Sequence, residues 1–106
     1  MIALNITELK QLVAVGELES FSEVARKFYV STPTITRAMK RAEKCYGVEL
    51  FIHGKNKVEL TEAGRLAVAG AQRILREFEA SVAEVRAYDR SLRTIDVVSC
   101  APAPLW

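Results

Sequence analysis

Between residues 31 and 44, the sequence concentrates cationic and hydroxyl-bearing side chains. Placed on an α-helix at ~100° per residue, these side chains fall on or beside one face of the helix. The face comprises Pro33, Arg37, Lys40 and Lys44, and it is flanked by Thr34, Thr36 and Arg41. Ammonium and guanidinium groups neutralise phosphates, and arginine and threonine side chains also reach base edges in a major groove. The pattern therefore predicts a DNA-reading helix, and a solvated basic face is the alternative for this segment alone.

The other side of the same helix is apolar. Its residues recur at spacings of three and four, as in a buried stripe: Ile35, Met39, Ala42 and Tyr46. Ser31 can cap this helix, and a proline follows in the first turn, where a missing N–H group costs little. A shorter helix precedes it, with Ser20 and Glu23 at capping-box spacing. The two helices are joined by a turn at residues 29–30, which predicts a helix-turn-helix whose second helix spans residues 33–46.

After Gly47, residues 48–53 are rich in strand-forming side chains, and residues 57–60 return as a second short strand. Residues 54–56 have the composition of a turn. A hairpin beside a major-groove helix is a wing, whose tip at residues 53–57 is predicted to contact the DNA backbone or minor groove. The candidate contacts are His53, Lys55 and Lys57. The alternative is a structural hairpin that covers an apolar core, and the two roles are compatible.

A first helix is expected to begin after Asn5, which can cap it with Glu8 at the third helical position. Gly16 is expected to end it. The helix has no basic face, so its role is to support the core with a short apolar stripe: Leu9, Leu12 and Val13.

Thr61 is expected to cap a long helix that runs to about residue 90. Its apolar residues recur at helical spacing: Ala67, Ala71, Ile74, Phe78, Val82 and Val85. Thirty residues of helix would span ~45 Å, more than a small domain can cover. The stripe is therefore predicted to pack on the same helix of a second copy, with folding back onto its own domain as the alternative.

The composition limits the class of protein. The chain has 106 residues, of which half are apolar and 26% are charged, as in a small globular protein. Six basic and two acidic residues give residues 32–57 a net charge of +4, and each flanking segment has −1. Such a local basic surface is typical of DNA binding. We expect no metal, cofactor or catalytic constellation, no membrane span, and a cytoplasmic location.

The end of the chain differs in kind. Residues 95–98 have strand composition, and two prolines follow within residues 101–104. A single strand cannot form a sheet alone. We therefore divide the chain into a DNA-binding domain at 1–60, a linker helix at 61–92 and the start of a truncated domain at 93–106.

Together these residues resemble the N-terminal domain of the LysR-type transcriptional regulators, over residues 2 to about 98. The matching positions are Ser20, Phe21, Ala25, Val30, Ser31, Pro33, Arg37, Glu43, Gly47, Val48, Leu50, Phe51 and the run from Leu60 to Gly64. The resemblance implies a mainly α fold, with three helices and a two-stranded wing. A linker helix would follow and pair antiparallel with its mate in a dimer.

The resemblance also implies partners. Members of the family bind interrupted palindromes in DNA, often as tetramers. In many cases they respond to a small-molecule effector that binds a C-terminal domain, whose first strand would here be residues 95–98.

This sequence departs from the family pattern at three contact positions. Many members have glutamine at the position of Thr32, serine at that of Thr36 and arginine at that of His53. Thr32 cannot make the bidentate adenine contact of glutamine, although its methyl group could meet a thymine methyl. DNA binding is expected to carry over from the family, whereas base preference is not.

Two classes of function remain: a sequence-specific dimeric regulator, and a protein-interaction module that uses the winged helix for assembly. An interaction module would show an apolar exposed face on the second helix. The cationic face favours the regulator, and the predicted DNA-contacting residues are Ser31, Thr32, Pro33, Thr34, Thr36, Arg37, Lys40, Arg41, Lys44, His53, Lys55 and Lys57.

Overall fold

The computed structural model describes residues 3–55 and 57–93. Its elements are α1 (Ile6–Leu18), α2 (Phe21–Phe28), α3 (Thr32–Tyr46), β1 (Phe51–Gly54), β2 (Lys57–Leu60) and α4 (Glu62–Arg93). The strands are antiparallel, with Phe51 opposite Leu60 and Gly54 opposite Lys57. This is a winged helix-turn-helix followed by a long helix, which confirms the predicted fold class. The predicted strand at residues 95–98 and turn residue Asn56 lie outside the described residues.

Local capping sets where the first three helices begin. In α1, the Glu8 N–H group donates to Asn5 Oδ1 at 2.7 Å, and the Asn5 N–H group donates to Glu8 Oε1 at 3.2 Å. This is a complete capping box. Ser20 accepts from the Glu23 N–H group at 3.1 Å, and Ser31 accepts from the N–H group three residues later at 3.4 Å. The predicted caps are therefore confirmed.

The predicted end of α1 at Gly16 is wrong. The helix continues to Leu18 and ends at Glu19, whose φ of 56° is left-handed. A Cβ atom on Gly16 would lie 3.2 Å from a methyl group of Leu60 and 3.3 Å from one of Val68. The glycine therefore serves close packing between α1 and its neighbours, and it does not serve as a helix stop.

The core lies between the helices of the helix-turn-helix and the base of the wing. Its largest fully buried side chains are Leu12, Val15, Val24, Ile35, Met39 and Leu50. The predicted stripe on α3 is buried at Ile35, Met39 and Ala42, but Tyr46 is 42% exposed. Tyr46 is the last residue of α3, so no following turn covers its ring.

Two hydrogen bonds from the start of the wing fix it to α3. The Leu50 and Phe51 N–H groups both donate to Glu43 Oε2, at 2.9 and 3.3 Å. The strand expected from residue 48 begins only at Phe51, the first residue that pairs with β2. The second strand is held to the end of α1, since the Val58 N–H group donates to the Glu19 carbonyl at 3.0 Å.

The start of α4 is joined to the same part of the wing. The Thr61 hydroxyl donates to the Glu49 carbonyl at 2.8 Å and accepts from the Gly64 N–H group at 2.9 Å. The Thr61 N–H group donates to the Leu50 carbonyl at 2.9 Å. Thr61 therefore caps α4 as predicted and also joins the helix to the wing.

The chain divides into two compact units, of which the first is Met1–Leu75 and the second begins at Arg76. The first unit includes the early turns of α4 because Ala67 and Ala71 are buried in its core. Within the second unit, Phe78 is 47% and Val85 is 64% exposed. Among the described residues, no helix has the length and apolarity needed to cross a bilayer.

Candidate nucleic-acid interface

The outer face of α3 is cationic, as the periodicity predicted. Arg37, Lys40 and Lys44 are exposed along it, and Ser31, Thr32 and Pro33 are exposed at its N-terminal end. Thr34 and Thr36 are half-buried at the two edges of the face. The helix therefore presents charge along its length and short side chains near its N-terminus.

The threonine hydroxyls at this end of α3 have hydrogen-bond partners within the helix. The Thr34 Oγ1 and Ser31 Oγ atoms lie 2.8 Å apart. Thr36 Oγ1 donates to the Thr32 carbonyl at 3.2 Å. Both hydroxyls are thus partly satisfied without a ligand, which reduces what they can offer to a base.

Arg41 has a structural partner that the sequence did not reveal. Its Nη1 atom lies 2.7 Å from Glu8 Oε2, and the Glu8 side chain is only 11% exposed. The other oxygen of Glu8 belongs to the α1 capping box. Arg41 therefore joins α3 to the start of α1, and its guanidinium is not a free cation on the outer face.

The wing lysines differ from each other. Lys57 Nζ lies 3.4 Å from Glu59 Oε2 and 3.5 Å from Glu19 Oε1. The hydrogen bond to Glu59, followed by the charge of Glu19, raises the pKa of Lys57. Lys55 is exposed, and no carboxylate of residues 3–55 and 57–93 forms an ion pair with it. Lys55 is consequently the available cation of the wing tip.

His53 is held by the start of α2. The Phe21 ring makes an edge-to-face contact with the His53 ring, with centroids 5.6 Å apart, and a second one with Phe51 at 5.7 Å. These contacts fix the imidazole beside an open groove that is also lined by Ser20, Ser22, Thr32 and Lys57. The fold therefore brings the N-terminal end of α3 and the wing to the same groove.

Four glutamates that hold the cations or the backbone of this site in place were absent from the predicted site: Glu8, Glu19, Glu43 and Glu59. Glu43 had a signal in the sequence as a matched family position, and Glu8 had one as the third helical residue after the Asn5 cap. Glu8 and Glu19 pair with cations of other elements, which periodicity within one element cannot reveal. Glu59 pairs with Lys57 two residues away in the same strand.

The first 65 residues identify the class of protein. Residues 6–65 match the model of the family described as bacterial regulatory helix-turn-helix protein, lysR family. The chain belongs to this family. Because the family consists of regulatory proteins, the match also confirms the expectation that the chain is not an enzyme.

Individual relatives agree with this assignment. The chain is 26% identical over 102 residues to the uncharacterized HTH-type transcriptional regulator YbhD of Escherichia coli K12, covering 96% of this chain and 32% of YbhD. It is 33% identical over 76 residues to the Hca operon transcriptional activator HcaR of the same organism, covering 72% of this chain and 26% of HcaR. The chain thus spans a third or less of these relatives.

A solved structure has the same fold. The crystal structure of a CbnR_DBD–DNA complex superposes with a TM-score of 0.77 at 34% identity, covering 81% of this chain and 99% of that chain. About four fifths of this chain therefore superposes on a domain whose crystal structure contains DNA.

Proposed function

We propose that this chain is the DNA-binding part of a dimeric transcriptional regulator that binds an interrupted palindrome in the cytoplasm. The observation that carries the proposal is the exposed cationic face of α3: Arg37, Lys40 and Lys44 lie opposite the buried side chains of Ile35, Met39 and Ala42. Two relatives support the proposal: the similar CbnR_DBD structure is a complex with DNA, and HcaR is named as an operon transcriptional activator.

In this proposal α3 lies in the major groove with its N-terminal end deepest, as recognition helices dock. Arg37 is one turn from Pro33 and can reach base edges, whereas Lys40 and Lys44 lie further along the helix and contact phosphates. The wing tip reaches the adjacent backbone or minor groove through Lys55. Arg41 holds α3 against α1 and thereby sets the angle at which the helix enters the groove.

Dimerisation belongs to the exposed apolar residues of α4. Of the predicted set, Ala67 and Ala71 are buried in the first unit and offer almost no surface to a partner. We propose that the contact uses the remaining members: Ile74, Phe78, Val82 and Val85. A small-molecule effector would bind only a C-terminal domain beyond residue 93.

Selection of bound sequences from a random DNA pool tests the proposal. We expect two related half-sites in inverted orientation, because a two-fold dimer places two copies of α3 on one duplex. Failure to enrich any sequence above the starting pool would contradict sequence-specific binding.

Arg37→Lys is expected to reduce discrimination at one base pair of each half-site by about 1–3 kcal/mol while retaining most non-specific affinity. The planar guanidinium can donate to both O6 and N7 of guanine, and an ammonium cannot reproduce this geometry. Binding of wild type and variant to single-base operator variants at fixed salt measures the effect. Lys44→Ala is the control and should weaken binding to all DNA sequences by the same factor. Uniform weakening by Arg37→Lys would instead make Arg37 a phosphate contact.

Lys55→Ala is expected to weaken binding to every sequence and to reduce the slope of log K against log salt by about 0.9. Lys57→Ala should change that slope less, because Glu19 and Glu59 already neutralise the ammonium group. Titrations at several salt concentrations give both slopes. Equal changes would mean that Lys57 leaves its carboxylates when DNA binds.

A further inference from the structure

The side chain of Thr36 is held in one orientation by its own helix. Its Oγ1 atom donates to the Thr32 carbonyl one turn earlier, at 3.2 Å. Oγ1 and the γ-methyl group are staggered about the same Cβ atom, so a hydroxyl directed at the backbone turns the methyl group away from that carbonyl. The methyl group of Thr36 therefore points away from the Thr32 carbonyl, and the half-buried side chain lies at the edge of the α3 face.

The position of Thr36 places this methyl group beside the proposed DNA contacts. At ~100° per residue, Thr36 lies between Pro33 and Thr32 around the helix. Thr32 is exposed and lines the groove shared with His53 and Lys57 of the wing. Thr34 and Arg37 line a different groove, against α1. Thr36 thus belongs to the wing-facing edge of the recognition helix.

We propose that Thr36 is a specificity-determining residue that reads the C5-methyl group of a thymine in the major groove, with its hydroxyl held by the Thr32 carbonyl. The inference rests on the proposed function and names the base-pair class that this edge of α3 selects. Thymine is the DNA base that presents a methyl group there, and threonine methyl groups suit contact with it.

The hydrogen bond explains why such a contact would discriminate between bases. A freely rotating hydroxyl can donate to or accept from almost any base edge. A hydroxyl whose hydrogen is already donated to the Thr32 carbonyl cannot also donate it to the O6 or N7 acceptors of a purine, although its oxygen can still accept a hydrogen bond. The methyl group would displace water from those purine acceptors without replacing the lost hydrogen bonds, which disfavours them.

Uracil substitution tests the proposal directly. Each thymine of a half-site obtained from the random pool is replaced in turn by uracil, which lacks only the C5-methyl group. We expect wild-type binding to weaken about threefold to fivefold at one position, the effect of burying one methyl group. Thr36→Ser retains the hydroxyl and removes the methyl group, so it should reduce the thymine-to-uracil ratio at that position to about one.

Two further variants separate the effect of the Thr36 methyl group from that of the Thr36 hydroxyl and from that of the Thr32 side chain. Thr36→Val keeps a methyl group at the same position and should retain the ratio. Thr32→Ala keeps the backbone carbonyl that accepts from Thr36, so it should also retain the thymine-to-uracil ratio. Circular dichroism checks that each variant is folded. The comparison of thymine with uracil on the wild-type chain does not depend on any variant.

The outcomes distinguish this inference from the proposed function. If no sequence is enriched, the proposed function fails. If an operator is enriched but uracil matches thymine at every position, Thr36 does not read a methyl group. A thymine-to-uracil ratio that survives in Thr36→Ser but is lost in Thr32→Ala would assign the methyl contact to Thr32 and overturn the role of Thr36.

Discussion

Replacing Gly64 by alanine is expected to lower the free energy of unfolding of the winged helix by about 3 kcal/mol, the upper part of the range for overpacking. A Cβ atom there would overlap the Leu50 carbonyl oxygen and would lie 3.1 Å from a Leu60 methyl group. The carbonyl is backbone and accepts from the Thr61 N–H group at 2.9 Å, so it cannot move without disturbing the join between wing and α4. The loss should outweigh the higher helix propensity of alanine, which is about 1 kcal/mol.

Gly70→Ala is the matched control for this prediction. Gly70 lies in the same helix, and a Cβ atom there would meet nothing closer than an Arg73 guanidinium nitrogen at 3.7 Å, an ordinary contact. This variant should be more stable than wild type by about 0.5–1 kcal/mol, because alanine is the better helix former. Urea denaturation followed by circular dichroism compares the two variants. If both shift stability in the same direction, the Leu50 contact is not what requires glycine at residue 64.

The contrast between glycines shows what local sequence can and cannot predict. Gly47 was expected to end α3, and it does so with a φ of 78°. Gly16 was expected to end α1, yet it lies inside the helix against Leu60 and Val68. Both glycines follow an amphipathic segment, and the difference depends on neighbours that come from β2 and α4. A local pattern reveals the conformational freedom of glycine but not its packing role.

The charged residues of the candidate site also divide into those that a local pattern predicts and those that depend on tertiary contacts. The exposed face of α3 could be predicted because the helix period alone places Arg37 and Lys40 opposite Ile35. The ion pair of Arg41 could not, because Glu8 is 33 residues away along the chain. Lys57 likewise depends on Glu19, which comes from the end of α1. Side-chain type and period therefore predict a surface, and tertiary contacts decide which of its cations are available.

Phe78→Ala is expected to shift the chain from dimer towards monomer and to have the largest effect of the predicted substitutions. Phe78 is 47% exposed within a single chain, and Ile74, one turn earlier, is 48% exposed. Truncating a fully buried phenylalanine costs about 3–5 kcal/mol, so burying the exposed half should contribute about 2 kcal/mol for each copy. A symmetric dimer contains the contact twice, which gives about 4 kcal/mol, or roughly a thousandfold in the dissociation constant.

Sedimentation at a series of concentrations measures this shift. Arg76→Ala is the control. At ~100° per residue, Arg76 lies ~160° from Phe78 around the helix, so this substitution removes a large side chain from outside the apolar stripe. It should leave the dissociation constant near that of wild type. Circular dichroism should show unchanged helix content for Phe78→Ala, since this residue is not part of the buried core. A wild-type chain that is already monomeric at micromolar concentration would contradict dimerisation through α4. In that case the interrupted palindrome would need another source of two-fold symmetry, because one copy of α3 reads only one half-site.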